Sequence, residues 1–69
     1  MITIEQIKVR LTEAIKQSGM KQTDLAKMLN ISQSTIAHYI KGDIVPALDT
    51  FANLCKVLDI DTNYILCQE

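Results

Sequence analysis

Few side chains in this sequence could do chemistry: one histidine, His38, two cysteines, Cys55 and Cys67, and small polar residues such as Ser34. A Ser/His nucleophile needs an acid that orients the histidine and an oxyanion site, and neither accompanies these residues. His38, Cys55 and Cys67 also lack the paired spacing of a metal site. We therefore expect no enzyme, no cofactor and no metal, and we interpret the exposed polar residues as hydrogen-bonding groups.

Two short helices joined by a tight turn, between Gln22 and Ile40, must position these polar groups. The first helix has three apolar residues on one face: Leu25, Ala26 and Leu29. Asn30 tolerates a left-handed backbone, and Ser32 is a good N-cap for the second helix. That helix has an apolar face made of Ile36, Tyr39 and Ile40. Its opposite face carries small or hydrogen-bonding residues: Gln33, Ser34, Ala37, His38 and Lys41.

Capping signals and apolar periodicity predict three further helices. Thr3 and Gln6 form a capping box, Gly42 suits the end of a helix, and Asp61 suits the start of the last one. The predicted helices are 4–17, 22–29, 33–41, 48–58 and 62–67. The first should bury Ile4, Ile7, Leu11, Ala14 and Ile15, and the fourth has Leu48, Phe51, Leu54, Cys55 and Leu58 at helical spacing. The sequence thus predicts one all-α domain over residues 1–69.

Charge is distributed unevenly along the chain. The net charge is −1, which by itself argues against nucleic acid as a partner. Residues 42–69 hold Lys56 against five acidic residues, whereas residues 8–41 hold only two acidic residues, Glu13 and Asp24. The basic residues in that first stretch are Lys8, Arg10, Lys16, Lys21, Lys27 and Lys41. The positive charge therefore coincides with the helix pair, although ordinary solvated helix faces would give the same count.

Cysteine usage and hydropathy bear on the compartment. Two cysteines are too few for a disulfide framework, so we expect them to be reduced in a cytoplasmic setting, with Cys67 a less favoured candidate for a thiol sensor. Charged residues interrupt the N-terminus, which argues against a signal peptide. The longest apolar run, from Tyr64 to Cys67, is far too short to span a bilayer.

Two separate segments share the pattern of a known family. The first is Gln22-x-x-Leu25-Ala26-x-x-Leu29-x-Ile31-Ser32-Gln33-Ser34-Thr35-Ile36, and the second comprises Gly42, Pro46-x-Leu48-x-Thr50, Leu54, Leu58, Ile60, Tyr64 and Leu66. In both, the chain resembles the phage repressor/Cro-type, or XRE, helix-turn-helix family. The resemblance covers residues 7–66. It implies a five-helix lambda-repressor-like domain with the helix-turn-helix in helices 2 and 3, encoded by a bacterium or a phage.

The resemblance implies a sequence-specific transcriptional regulator that recognises a double-stranded DNA operator with helix 3 in the major groove. The expected base-edge residues are Gln33, Ser34, Ala37 and His38. The expected phosphate contacts are Lys21, Gln22, Thr35 and Lys41. Gln33 can pair bidentately with adenine, and Ala37 offers a methyl group to thymine. No small-molecule ligand is expected, because the chain has little room beyond one DNA-binding domain.

Members of this family usually dimerise, so the resemblance also implies a homodimer. The expected contact residues are apolar: Ile44, Val45, Tyr64, Ile65 and Cys67. The alternative is a module that kept the fold but binds protein, such as an antirepressor or an antitoxin-like subunit. The acidic total and the apolar loop at Ile44 and Val45 favour this alternative.

Two departures from the family pattern carry structural predictions. Ile15 and Ile40 occupy positions where the family often has an Arg–Glu ion pair. Replacing both partners of such an ion pair by apolar residues can leave the stability unchanged. We therefore expect the side chains of Ile15 and Ile40 to contact each other. Ala47 stands where a serine cap is common, so the fourth helix should begin without a side-chain cap.

Overall fold

Five α-helices make up the fold, and the computed structural model describes every residue from Met1 to Glu69. The helices are α1 Ile4–Gln17, α2 Gln22–Leu29, α3 Gln33–Lys41, α4 Leu48–Leu58 and α5 Thr62–Ile65. The all-α fold class is confirmed, and the first four helices begin and end at the predicted residues. The last helix is shorter than predicted. It ends before Cys67, whose φ of 60° lies outside the right-handed helical region.

Side-chain caps explain three of the five helix starts. The Thr3–Gln6 capping box is closed in both directions, with the Thr3 N–H donating to Gln6 Oε1 at 2.9 Å. Ser32 accepts from the N–H of Thr35 at 3.1 Å, and Asp61 caps α5. The N-caps of α2 and α4 are Lys21 and Ala47, and neither makes a side-chain cap bond. The expected uncapped start at Ala47 is therefore confirmed.

Left-handed residues end three of the helices. Asn30 has φ 56°, which lets α2 stop and lets the N–H of Ile31 bond the carbonyl of Ala26 at 3.0 Å. Gly42 has φ 81° and ends α3 in the same way. Asp59 ends α4 with φ 54°, and the sequence reasoning did not anticipate it. These residues turn the chain away from the helix axis at the ends of α2, α3 and α4.

The core brings together all five helices. Its ten buried residues are Leu11, Ile15, Leu25, Ala26, Ile36, Tyr39, Phe51, Leu54, Cys55 and Ile65. Ala26 is 5% exposed within the α2–α3 pair, the most extensive helix–helix contact in the molecule. Ile15 is buried and Ile40 packs against the same cluster, which is consistent with the predicted contact between them.

Two apolar residues do not lie where helical spacing suggested. Ile4, predicted to be buried, is 49% exposed, and Leu48 is 87% exposed. Both stand in the first turn of a helix, where an open hollow separates the start of α1 from the start of α4. The prediction that Ile4 is buried was wrong because periodicity identifies a face, not where its packing partner ends.

Candidate nucleic-acid interface

The outer face of α3 is the polar surface that sequence reasoning singled out. Ile36 and Tyr39 anchor the helix in the core at 0% and 6% exposure. On the opposite side Gln33, Ser34 and His38 are exposed, and Ala37 is half-buried between them. The structure thus brings all four predicted base-edge residues onto the side of α3 that does not face the core.

Hydrogen bonds outside this face hold α3 in place. Thr12 in α1 donates from Oγ1 to the carbonyl of Tyr39 at 3.3 Å. At the start of the helix the hydroxyls of Ser32 and Thr35 lie 2.8 Å apart. Thr35, predicted to contact phosphate, is therefore half-buried and already engaged in the cap. Gln33 and Ser34 take no part in these bonds, so their side chains can bond an outside partner.

The start of α2 lies next to exposed basic charge. Lys21 is the N-cap, Gln22 is the first residue of the helix, and both are exposed. No side chain caps the first N–H groups of α2. Unpartnered N–H groups at a helix start attract anions, and a lysine beside them adds to that attraction. Lys41 at the other end of α3 is also exposed and has no carboxylate within ion-pair distance.

Arg10 does not belong to this basic surface. Its Nη1 lies 2.6 Å from Glu69 Oε1 and donates to the carbonyl of Tyr64 at 2.6 Å. The guanidinium also sits 4.4 Å from the centroid of the Tyr64 ring. The hydrogen bond that Arg10 donates to the Glu69 carboxylate is the main cause of the raised pKa of Arg10. Arg10 is one of the six basic residues in the stretch 8–41, and the carboxylate of Glu69 at the C-terminal end balances its charge.

His38 has a partner that sequence reasoning missed. Its Nδ1 lies 3.0 Å from Asp43 Oδ2, in the loop after α3. Both side chains are about half exposed, so the pair stands at the surface beside the α3 face. The spacing His38-x-x-x-Gly42-Asp43 could have predicted this contact, because a left-handed glycine folds the next residue back over the last helical turn.

An apolar surface lies just beyond the end of α3. Ile44 and Val45 are 45% and 39% exposed, as predicted for a contact surface. Val45 and Leu48 face Ile4 of α1 across a hollow of about 200 Å³. We call Ile4, Ile44, Val45 and Leu48 the apolar rim. Ile4 and Leu48 were not among the predicted contact residues: Ile4 was expected to be buried, and Leu48 served only to predict the helix 48–58.

The remaining predicted contact residues lie apart from the apolar rim. Ile65 is 1% exposed and belongs to the core, so its assignment to an exposed contact surface was wrong. In a helix of four residues it is the one side chain that faces inward. Tyr64 is 44% exposed, but Arg10 covers one face of its ring. Cys67 is half-buried and lines a separate hollow with Ile2 and Val9.

Comparisons with known proteins agree with this architecture. A family model described as helix-turn-helix matches residues 11–65, which is most of the chain. The chain belongs to the helix-turn-helix family, of the XRE, repressor-like type. It is 32% identical over 57 residues to the HTH-type transcriptional regulator ImmR of Bacillus subtilis (strain 168). That alignment covers 83% of this chain and 45% of the relative, so the chain spans about half of ImmR. No solved structure matches the chain significantly.

In this helix-turn-helix domain, α2 and α3 are the motif and α1, α4 and α5 support it. The match begins at Leu11 and ends at Ile65, both core residues, so it covers nearly all of the packed interior. None of the five helices is long and apolar enough to cross a membrane. No group of three or more His, Cys, Asp or Glu side chains is arranged to hold a metal ion.

Proposed function

We propose that this chain is the DNA-binding domain of a transcriptional regulator and that α3 enters the major groove. The observation that carries the proposal is the outer face of α3: Gln33 and Ser34 are exposed, next to a helix start that the side chain of Ser32 caps. A helix rigidly anchored by its inner face, with free hydrogen-bonding groups outside, is what base recognition requires. The similarity to a protein named as a transcriptional regulator supports the same reading.

The residue types on α3 suggest their roles. Gln33 can donate and accept at once and so pairs bidentately with adenine N6 and N7. Ser34 can donate to or accept from a neighbouring base, and the Ala37 methyl can contact the methyl group of thymine. His38 lies further along the same face, about one turn after Ser34. Its partner Asp43 limits what it can contact.

Phosphate binding would rest on a few exposed groups around the motif. Lys21 and Gln22 stand at the uncapped start of α2, and Lys41 stands at the end of α3. Thr35 contributes less than the sequence suggested, because its hydroxyl already faces Ser32. With Arg10 bound to Glu69, the electrostatic attraction to DNA is modest, and the polar base contacts carry a larger share of the affinity.

A second copy of the chain is the proposed occupant of the apolar rim. Two recognition helices in successive major grooves lie about 34 Å apart, so each lies roughly 17 Å from the dimer axis. The molecule measures 34 × 23 × 21 Å, and the loop that follows α3 carries Ile44 and Val45. A dimer formed there must therefore hold its two α3 helices at that spacing if both are to enter successive major grooves. Leu48→Glu should then give a monomer in sedimentation experiments at concentrations where the wild type is a dimer.

Selection from random oligonucleotides with the purified protein tests the function. We expect a palindromic site, because a symmetric dimer imposes its two-fold axis on the DNA. Gln33→Ala should relax one position in each half-site, where a mismatch normally costs about 1–3 kcal/mol. Gln68→Ala, an exposed glutamine at the far end of the chain, is the matched control and should leave the site unchanged. No enrichment at low salt would refute the proposal.

The apolar rim also favours the second candidate, a module that binds another protein. A side chain as exposed as Leu48, at 87%, is unusual beside an apolar hollow unless something covers it. This candidate predicts capture of a protein partner with little dependence on salt and no retention on DNA. The selection experiment therefore separates the two functions directly.

A further inference from the structure

Two hydrogen bonds tie Asp43 to His38. The backbone N–H of Asp43 donates to the carbonyl of His38 at 3.1 Å, and the side chains meet at Nδ1 and Oδ2, 3.0 Å apart. Gly42, with φ 81°, makes this possible by folding the chain back over the last turn of α3. The carboxylate is therefore held against His38 by the backbone of the helix end as well as by the side-chain contact.

A carboxylate on Nδ1 decides which ring nitrogen carries the proton. The ionised carboxylate of Asp43 can only accept, so Nδ1 must be the donor. In the neutral ring the other nitrogen, Nε2, is then left as an acceptor. Without such a partner, the neutral imidazole prefers the opposite tautomer, with the proton on Nε2. Asp43 thus reverses the hydrogen-bonding character of Nε2, the ring nitrogen that it does not contact.

We propose that Asp43 is a positioning residue that makes His38 select bases with an exposed amino group, an inference that rests on the proposed function. In the major groove adenine N6 and cytosine N4 are the donors that an acceptor can bind. Phosphate oxygens only accept, and the adjacent carboxylate repels them. His38 would therefore recognise adenine or cytosine at one half-site position and would not bind the DNA backbone.

A plain surface ion pair is the competing account. If the ring is an imidazolium at working pH, Nε2 is a donor and favours guanine or phosphate, with Asp43 serving only to balance charge. The two accounts differ in whether Nε2 carries a proton in the free protein and in the base selected. Both can be measured, because His38 is the one histidine in the chain and its ring signals are unambiguous.

Nitrogen-15 NMR of the free full chain tests the tautomer without DNA. At about pH 8, where an ordinary imidazole is neutral, we expect the Nδ1–H form in the wild type. Asp43→Ala should shift the ring toward the Nε2–H form. Glu13→Ala removes the same charge from an exposed site on α1 and should leave the tautomer unchanged. An Nε2–H ring, or an imidazolium, in the wild type would overturn the proposal.

Oligonucleotide selection at the same pH tests the consequence. The wild type should prefer adenine or cytosine roughly tenfold at one half-site position, the low end of the cost of a mismatch. Asp43→Ala should abolish that preference or move it to guanine or thymine, whereas Glu13→Ala should change affinity alone. In a His38→Ala background, Asp43→Ala should no longer alter the sequence selected. Identical selected sites for the wild type and Asp43→Ala would overturn the inference, whereas no enrichment by the wild type would refute DNA binding itself.

Discussion

The face of α3 and the apolar rim are both exposed, yet they differ in almost every physical property. The α3 face carries polar residues on a helix with a capped start and a core anchor at Ile36. The apolar rim borders the uncapped helix start at Ala47 and exposes large apolar side chains to water. The first can remain in water at little cost, whereas the second gains free energy only when something covers it. Two different kinds of partner are therefore expected.

The largest expected contrast is between an anchor of the α3 face and a member of the apolar rim. Ile36 is 0% exposed, so Ile36→Ala should lower the free energy of unfolding by about 2–5 kcal/mol. Leu48 is 87% exposed, so Leu48→Ala should change it by less than about 0.5 kcal/mol. Urea denaturation at a concentration that keeps the chain monomeric measures both. A large loss in Leu48→Ala would mean that the apolar rim is part of the core.

Gly42 connects the two surfaces, since it ends α3 and begins the loop of the apolar rim. A Cβ at this position would meet no atom within 4 Å, so Gly42→Ala adds no clash. The φ of 81° still imposes a left-handed backbone, which costs a residue with a side chain about 1–2 kcal/mol. Thermal unfolding should show this loss. An unchanged stability would indicate that the turn can relax without its left-handed residue.

The two helix starts allow a matched pair of smaller changes with opposite signs. Ser32→Ala removes the cap of α3 and should cost about 1 kcal/mol. Ala47→Ser supplies a cap that α4 lacks and should stabilise the domain by a similar amount. Chemical denaturation of both variants and of the double variant measures the pair. If both substitutions stabilised the domain, or both destabilised it, the result would contradict the assignment of a capped start to α3 and an uncapped start to α4.

The shared core gives the smallest effect, a loss of stability at alkaline pH. Burial raises the pKa of Tyr39 in α3 and of Cys55 in α4. The pKa of each group is higher in the folded than in the unfolded protein. The stability that the two buried neutral side chains contribute is therefore complete at neutral pH and is lost as the pH rises beyond about 9. Tyr39→Phe and Cys55→Ala should each flatten the alkaline side of a pH–stability curve. An unchanged curve would contradict this assignment.

Local sequence signals predicted most of the fold. Thr3, Ser32 and Asp61 marked helix starts, and Asn30 and Gly42 marked ends, because caps and left-handed turns depend on residues within a few positions. The helical spacing of the apolar residues also identified the side of α3 that faces the core. The opposite side was therefore predicted to be the exposed polar face. These features depend on short-range sterics and hydrogen bonds, which the sequence displays directly.

Features that depend on distant contacts were not predictable in this way. Arg10 bonds Glu69 across 59 positions, so its removal from the basic surface could not be deduced from a charge count. Ile4 was assigned to the core because periodicity does not show where a neighbouring helix ends. Ile65 was placed at the surface because a helix as short as the predicted 62–67 does not display a period.

The salt dependence of DNA binding tests the central claim most directly, namely that the α3 face, Lys21 and Lys41 bind DNA and the C-terminal end does not. The logarithm of the affinity for the selected site should fall linearly with the logarithm of salt concentration. Lys41→Gln should reduce that slope by about 1, whereas Arg10→Gln, whose guanidinium bonds Glu69, should leave the slope unchanged. Affinity that ignores salt, or a slope that depends on Arg10 and not on Lys41, would contradict the account.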